Sequence, residues 1–184
     1  MWKSILALTI LAVPPVLMGT VFSSLSPTKL ISTAAGGSIV TRDLALAYLT
    51  HFRKLDPDAK ENAWSLFEWT VLLACRVKQR DEDEEASRYF EIADLFVRQG
   101  AHVNFKDDSG LTALHQAVVL RCPEGIQFLL AHGADIFARS TELSTAPNQT
   151  ARAWFSLSSM PVNAQDRDAE TLRLLIEAEN RAGK

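Results

Sequence analysis

The sequence predicts an all-α protein, a short solenoid of about three helix-turn-helix units behind an N-terminal capping helix. Three observations predict it. Apolar residues recur at helical spacing in successive segments, as in "AWSLFEWTVLLACRVKQ", where Trp64, Phe67, Val71, Leu72 and Cys75 fall on one face. The chain also repeats itself: "ADLFVRQGAHVN" at 93–104 matches "IQFLLAHGADIF" at 126–137, an offset of 33 residues. A period of that size marks stacked units rather than a single globular core. Finally, Gly100-Ala101 and Gly133-Ala134 stand where helices of this pattern should stop.

The elements follow in order. Residues 1–26 read as a signal peptide or membrane anchor. Lys3 precedes an uncharged apolar run from Ile5 to Phe22, whose 18 residues lie on the border between a signal-peptide core and a spanning helix. Pro14 and Pro15 would kink a helix and favour the signal peptide. No clean small-residue cleavage site stands out, and no cysteine near the end of the run suggests a lipoprotein. Either form places the rest of the chain outside the cytoplasm: periplasmic, or anchored in an inner membrane through residues 5–22. No other membrane contact is expected. Residues 27–40, rich in Ser, Thr and Gly, read as a linker before a repeat domain over 41–184. Within that domain, Thr41 or Asp43 caps a helix through "DLALAYLTHF", and "LDPDAKEN" ends it. The Trp64–Gln79 helix follows, then the solvated run "RDEDEE", then the amphipathic "ASRYFEIADLFVRQG".

Composition narrows the function. The 184 residues are 47% hydrophobic and 22% charged with net charge −3, so a basic nucleic-acid footprint is missing. Cys75 and Cys122 could pair in an oxidising compartment, but two separate buried thiols are the expectation, and no CxxC occurs. No metal or cofactor is expected. "HFRKLDPD" and "DEDEE" lack the helical zinc pattern, "DEDEE" lacks the glycine and alternating ligands of a calcium loop, and "AAGGS" lacks the lysine and preceding strand of a phosphate loop. No catalytic residue is assigned, and an enzyme with an unrecognised site is the alternative of another class.

The stretch "DDSGLTALHQAVVLRCPEGIQFLLAHGADI" resembles one nearly complete ankyrin repeat, with "TALHQA" standing for the family's T-P-L-H-x-A. The resemblance implies roles for three structural residues. Gly110 permits the positive φ of the tight turn, Thr112 starts the inner helix, and His115 hydrogen-bonds the adjoining turn, tying one repeat to the next. That role is structural rather than catalytic, since no serine, cysteine or acid is placed at motif spacing to make the ring a base. Upstream, "WTVLLAC" reads as a degenerate counterpart, with Thr70 for Thr112, Leu72 for Leu114 and Cys75 for Ala117. That register needs an insertion of nine residues, for which "QRDEDEEAS" is the expected place. Downstream, "NQTARAWFS" and "AETLRLLIEAEN" read as the helices of a capping repeat. Gly125 departs from the family, which usually has a β-branched residue there.

The resemblance also implies a protein-binding surface at the turn tips and the exposed side of the inner helices. In this register it comprises Phe105, Lys106, Asp108, Ser109, Leu111, Val119 and Leu120. Phe105, Leu111, Val119 and Leu120 would form a small apolar patch, and the long second turn "FARSTELSTAPNQT" invites a part in recognition. The expected partner is therefore a protein, by analogy of size, fold and compartment a secreted toxin such as a phospholipase effector. The alternative partner is an enzyme or envelope complex that the chain scaffolds.

Overall fold

The computed structural model describes residues 20–61, 63–157 and 165–183. The expected export segment therefore lies mostly outside the described residues, as do residues 158–164 between the last two helices. Among the described residues no helix is long and apolar enough to cross a membrane. The chain divides into two units, one reaching Asp56 and the other running from Pro57.

The N-terminal unit is a helical hairpin, α1 (Pro27–Gly36) and α2 (Ile39–His51). A linker was expected over 27–40, but most of it is helix. Ser26 caps α1 by accepting from the Lys29 N–H, and Pro27 sits at the first position, where its missing N–H costs nothing. Leu30, Ile31, Ala34 and Ala35 bury one face of it. Ser and Thr do not break the helix because their hydroxyls fold back: Ser32 donates to the Thr28 carbonyl and Thr33 to that of Lys29. The N-terminal unit is thus a pair of helices, where the sequence predicted one.

The second unit begins with a short antiparallel ribbon, β1 (Lys60–Glu61) and β2 (Trp64–Ser65). Three helix pairs follow: α3 (Leu66–Lys78) with α4 (Asp83–Arg98), α5 (Ala113–Val119) with α6 (Pro123–Ala131), and α7 (Ala151–Leu157) with α8 (Gln165–Ala182). The inner helices α3, α5 and α7 pack side by side in sequence order. Gly100 and Gly133 end the outer helices of the first two pairs with φ of 97° and 83°, a conformation that other residues adopt only under strain.

The first repeat is not in the expected register. Ser65, not Thr70, caps its inner helix, accepting from the Glu68 N–H at 3.1 Å. The motif is therefore "SLFEWT", five residues earlier than expected. The extra length is also not a loop insertion at "QRDEDEEAS". It lies in the helices, since α3 and α4 have 13 and 16 residues where α5 and α6 have 7 and 9.

The cysteines also differ from expectation. Cys75 and Cys122 form a disulfide with their Cα atoms 5.5 Å apart. In the corrected register each stands ten residues after its repeat's cap, Ser65 and Thr112. They are stacked equivalents, and the bond staples the first repeat to the second. It also explains Gly125. A Cβ there would lie 2.5 Å from the Cys75 sulfur and 3.0 Å from that of Cys122, so the β-branched residue usual at this position has no room.

Candidate functional site

Between outer and inner helices the chain makes hairpin turns that stack like the helices do. β1–β2 is the first. The second closes with a bridge between Lys106 and Thr112, the third with one between Arg139 and Thr150. Neighbouring tips are joined directly. Lys60 ion-pairs with Asp108, and the Asp108 N–H donates to the Ala63 carbonyl at 3.3 Å. The Thr141 N–H donates to the Gly110 carbonyl at 3.1 Å. Gly110 needs its φ of 74° and also its missing side chain, because a Cβ would lie 1.7 Å from the Thr141 hydroxyl.

Asp107 holds the second turn together. Its carboxylate accepts from the N–H groups of Ser109 (2.8 Å) and Leu111 (2.9 Å) and from the Gln116 amide (3.0 Å). His115 fixes the next junction. Its Nε2 lies 3.1 Å from the Gln149 carbonyl, an obligate acceptor, so Nε2 carries the proton. Nδ1 then accepts from the Thr112 hydroxyl at 2.8 Å and from its N–H at 3.3 Å. Burial lowers the pKa of the ring, which is neutral at pH 7. His115→Ala removes this tie and leaves the Gln149 carbonyl only the Ser140 N–H, at 2.9 Å. The expected loss is about 1–3 kcal/mol in a urea melt. An unchanged midpoint would show that the ring ties nothing.

In the first repeat the same position, three residues after the cap, holds Glu68. The side chain is 2% exposed and neither carboxyl oxygen has a hydrogen-bond partner. Burial, and then the negative Asp107 nearby, push its pKa up to about 9. Glu68 is therefore a neutral acid at pH 7, buried where the second repeat uses a neutral histidine.

The proposed surface residues now have places. Lys106, Asp108 and Ser109 are exposed at the second tip. Phe105 is half-buried, with the Lys60 ammonium 5.4 Å from its ring centre. Val119 and Leu120 are half-buried at the end of α5. Leu111 corrects the apolar patch: only 7% exposed, it belongs to the core. Its N–H and carbonyl are both bound to Asp107, which turns the side chain inward.

Three residues of the inner-helix surface escaped the sequence reading. Four residues after each cap come Trp69, Gln116 and Trp154, at equivalent positions of three stacked helices, and all three are half-buried. The Trp154 indole N–H has no hydrogen-bond partner. That nitrogen is itself buried, in a setting where an indole normally finds an acceptor. The signal was present in the spacing, but only the corrected register of the first repeat aligns Trp69 with the others.

Arg121 was also missed. It is buried at the turn after α5 with φ of 50° and reaches across to the third repeat. Its guanidinium lies 3.9 Å from the Phe155 ring centre, donates to the Phe155 carbonyl at 3.0 Å and pairs with Asp168 at 2.8 Å. Among the described residues no group of three or more His, Cys, Asp or Glu is placed to hold a metal ion.

Stacked hairpins, paired helices and a histidine tie are the geometry of an ankyrin array. A family model described as "Ankyrin repeats (3 copies)" matches residues 43–140. The chain belongs to the ankyrin-repeat family. Its curated relatives include the ankyrin repeat and SOCS box protein 6 of Pongo abelii, 41% identical over 56 residues, and that of Homo sapiens, 39% identical over 56. Each match covers 30% of this chain and 13% of the relative, so the chain spans only a small part of the length of these relatives. Ankyrin repeats are protein-interaction modules, and the third helix pair, beyond the matched residues, extends the array by one unit.

Proposed function

We propose that the chain is a non-enzymatic protein-binding module that works outside the cytoplasm. Its binding face is the row formed by Trp69, Gln116 and Trp154, rimmed by Lys106, Asp108 and Ser109. The observation that carries this reading is the pair of half-buried tryptophans at equivalent positions of stacked inner helices. Tryptophan is the residue most enriched among interface hot spots, and repeat stacking alone does not require it at both positions. The compartment is supported twice. The apolar run behind Lys3 directs export, and a buried disulfide stapling two repeats suits an oxidising environment. A phosphatase reporter that works only after export, fused behind Lys184, should be active in a bacterial host. An inactive phosphatase beside an active cytoplasmic reporter would contradict this placement.

The biological form we assign is an immunity protein that covers a secreted toxin, such as a phospholipase effector. It is supported by size, fold and compartment. Titrating the chain into its captured partner should abolish a toxic or lipolytic activity of that partner. A partner without such activity would overturn the toxin role and leave the binding role standing.

A further inference from the structure

We propose that the apolar N-terminal run is retained as a membrane anchor, and that the end of the helical hairpin where it joins rests on the lipid surface. This rests on the export reading above and decides between its two forms.

The run does not stop short of the fold. Residues 20–22 are helical, and Phe22, the last apolar residue of the run, is 4% exposed with its ring 5.6 Å from that of Tyr48. The residues that follow are tied down. The Arg53 guanidinium donates to the Phe22 carbonyl at 3.3 Å and to the Leu25 carbonyl at 2.9 Å. No small-residue site of the kind a signal peptidase reads stands out in the run, and a cut beyond Phe22 would remove a core ring.

The same end of the hairpin carries the chemistry of a membrane–water interface. Val21 is 55% and Phe52 54% exposed, and the Phe52 ring stacks on Tyr48 at 6.1 Å. Arg53 and the exposed Lys54 stand beside them. Aromatic rings with cations next to them are what flank segments held in a bilayer. The far end of the run has the same pair in Trp2 and Lys3. Its 18 residues approach the ~20 needed to span.

The full chain, tagged at its C-terminus, should be recovered uncut, at 20.3 kDa plus the mass of the tag. It should resist carbonate extraction from membranes, with the tag open to protease from outside the cytoplasm. A shortened, soluble, exported product would overturn the anchor and leave the export reading intact. A full-length soluble product in the cytoplasm would overturn both. A nitroxide on Phe52→Cys, in vesicles of phosphatidylethanolamine and phosphatidylglycerol, should meet dissolved oxygen more readily than a water-soluble nickel chelate. The same accessibility ratio as for a nitroxide on Leu143→Cys, at an exposed hairpin tip, would show that this end of the hairpin stands clear of lipid.

Discussion

Gly125→Val is expected to destabilise the protein sharply, and to lose most of that effect once the disulfide is gone. The Cβ of any residue at 125 would meet the Cys75 sulfur at 2.5 Å and the Cys122 sulfur at 3.0 Å. Neither sulfur can swing aside while the two are bonded. Overpacking of this kind costs about 1–3 kcal/mol, more where nothing can move. Removing the bond has its own cost. A loop spanning a sequence separation of 47 residues corresponds to roughly 4 kcal/mol in the chain-entropy model. Cys75→Ala with Cys122→Ala should therefore lower stability by a few kcal/mol. In that background Gly125→Val should be neutral or stabilising, since the valine fills the space that both sulfurs leave. Urea melts of the four proteins give the coupling, expected at about 2 kcal/mol or more. Additive losses would show that Gly125 does not answer to the disulfide.

Glu68→Gln is expected to stabilise the protein at neutral pH and to flatten its stability against pH. The folded state holds the Glu68 proton up to about pH 9, whereas the unfolded chain releases it near the ordinary carboxyl value of 4.5. Between those values the folded state binds more protons than the unfolded one, so stability falls as pH rises through that window. The destabilisation is absent below pH 4.5 and complete above about 9. At pH 7 it amounts to about 3 kcal/mol as an order of magnitude. Glutamine keeps the shape and does not titrate. The two proteins should be closest in stability at low pH and diverge steadily toward pH 9. Parallel curves would show that Glu68 is solvated or paired in solution.

What the sequence revealed depends on which residues carried a local signal. The second repeat was legible because "TALHQA" and the Gly-Ala pairs are each fixed by a backbone need: a cap, a histidine tie, a positive φ. The first repeat was not, because "SLFEWT" keeps only the cap and the apolar third position. "WTVLLAC" imitates the motif better by accident. Its 14 extra residues extend two helices by six and seven and the turn between them by one, so no loop announced them. Leu111 looked like a surface residue in sequence and was drawn inward by the Asp107 turn. The disulfide left one trace, the anomalous Gly125, but its meaning depends on a distance that spacing does not give. Helix α1 was hidden by its Ser, Thr and Gly content, although Ser26-Pro27 and the spacing of Leu30, Ile31, Ala34 and Ala35 announce a helix.

The binding role stands or falls with the tryptophan row. The direct test is the affinity of the captured partner for the wild type, Trp69→Ala, Trp154→Ala, Phe105→Ala and Lys106→Ala, each paired with its melting temperature. Truncating an aromatic anchor at an interface is worth roughly 2 kcal/mol or more, a loss of about thirtyfold. Both tryptophan variants should show it while melting close to the wild type. Phe105→Ala should bind less weakly than they do, because its ring already lies against Lys60, and Lys106→Ala should change affinity least, as a charge on the rim. Unchanged affinity in both tryptophan variants, with their folding intact, would contradict the account and place the partner elsewhere on the array.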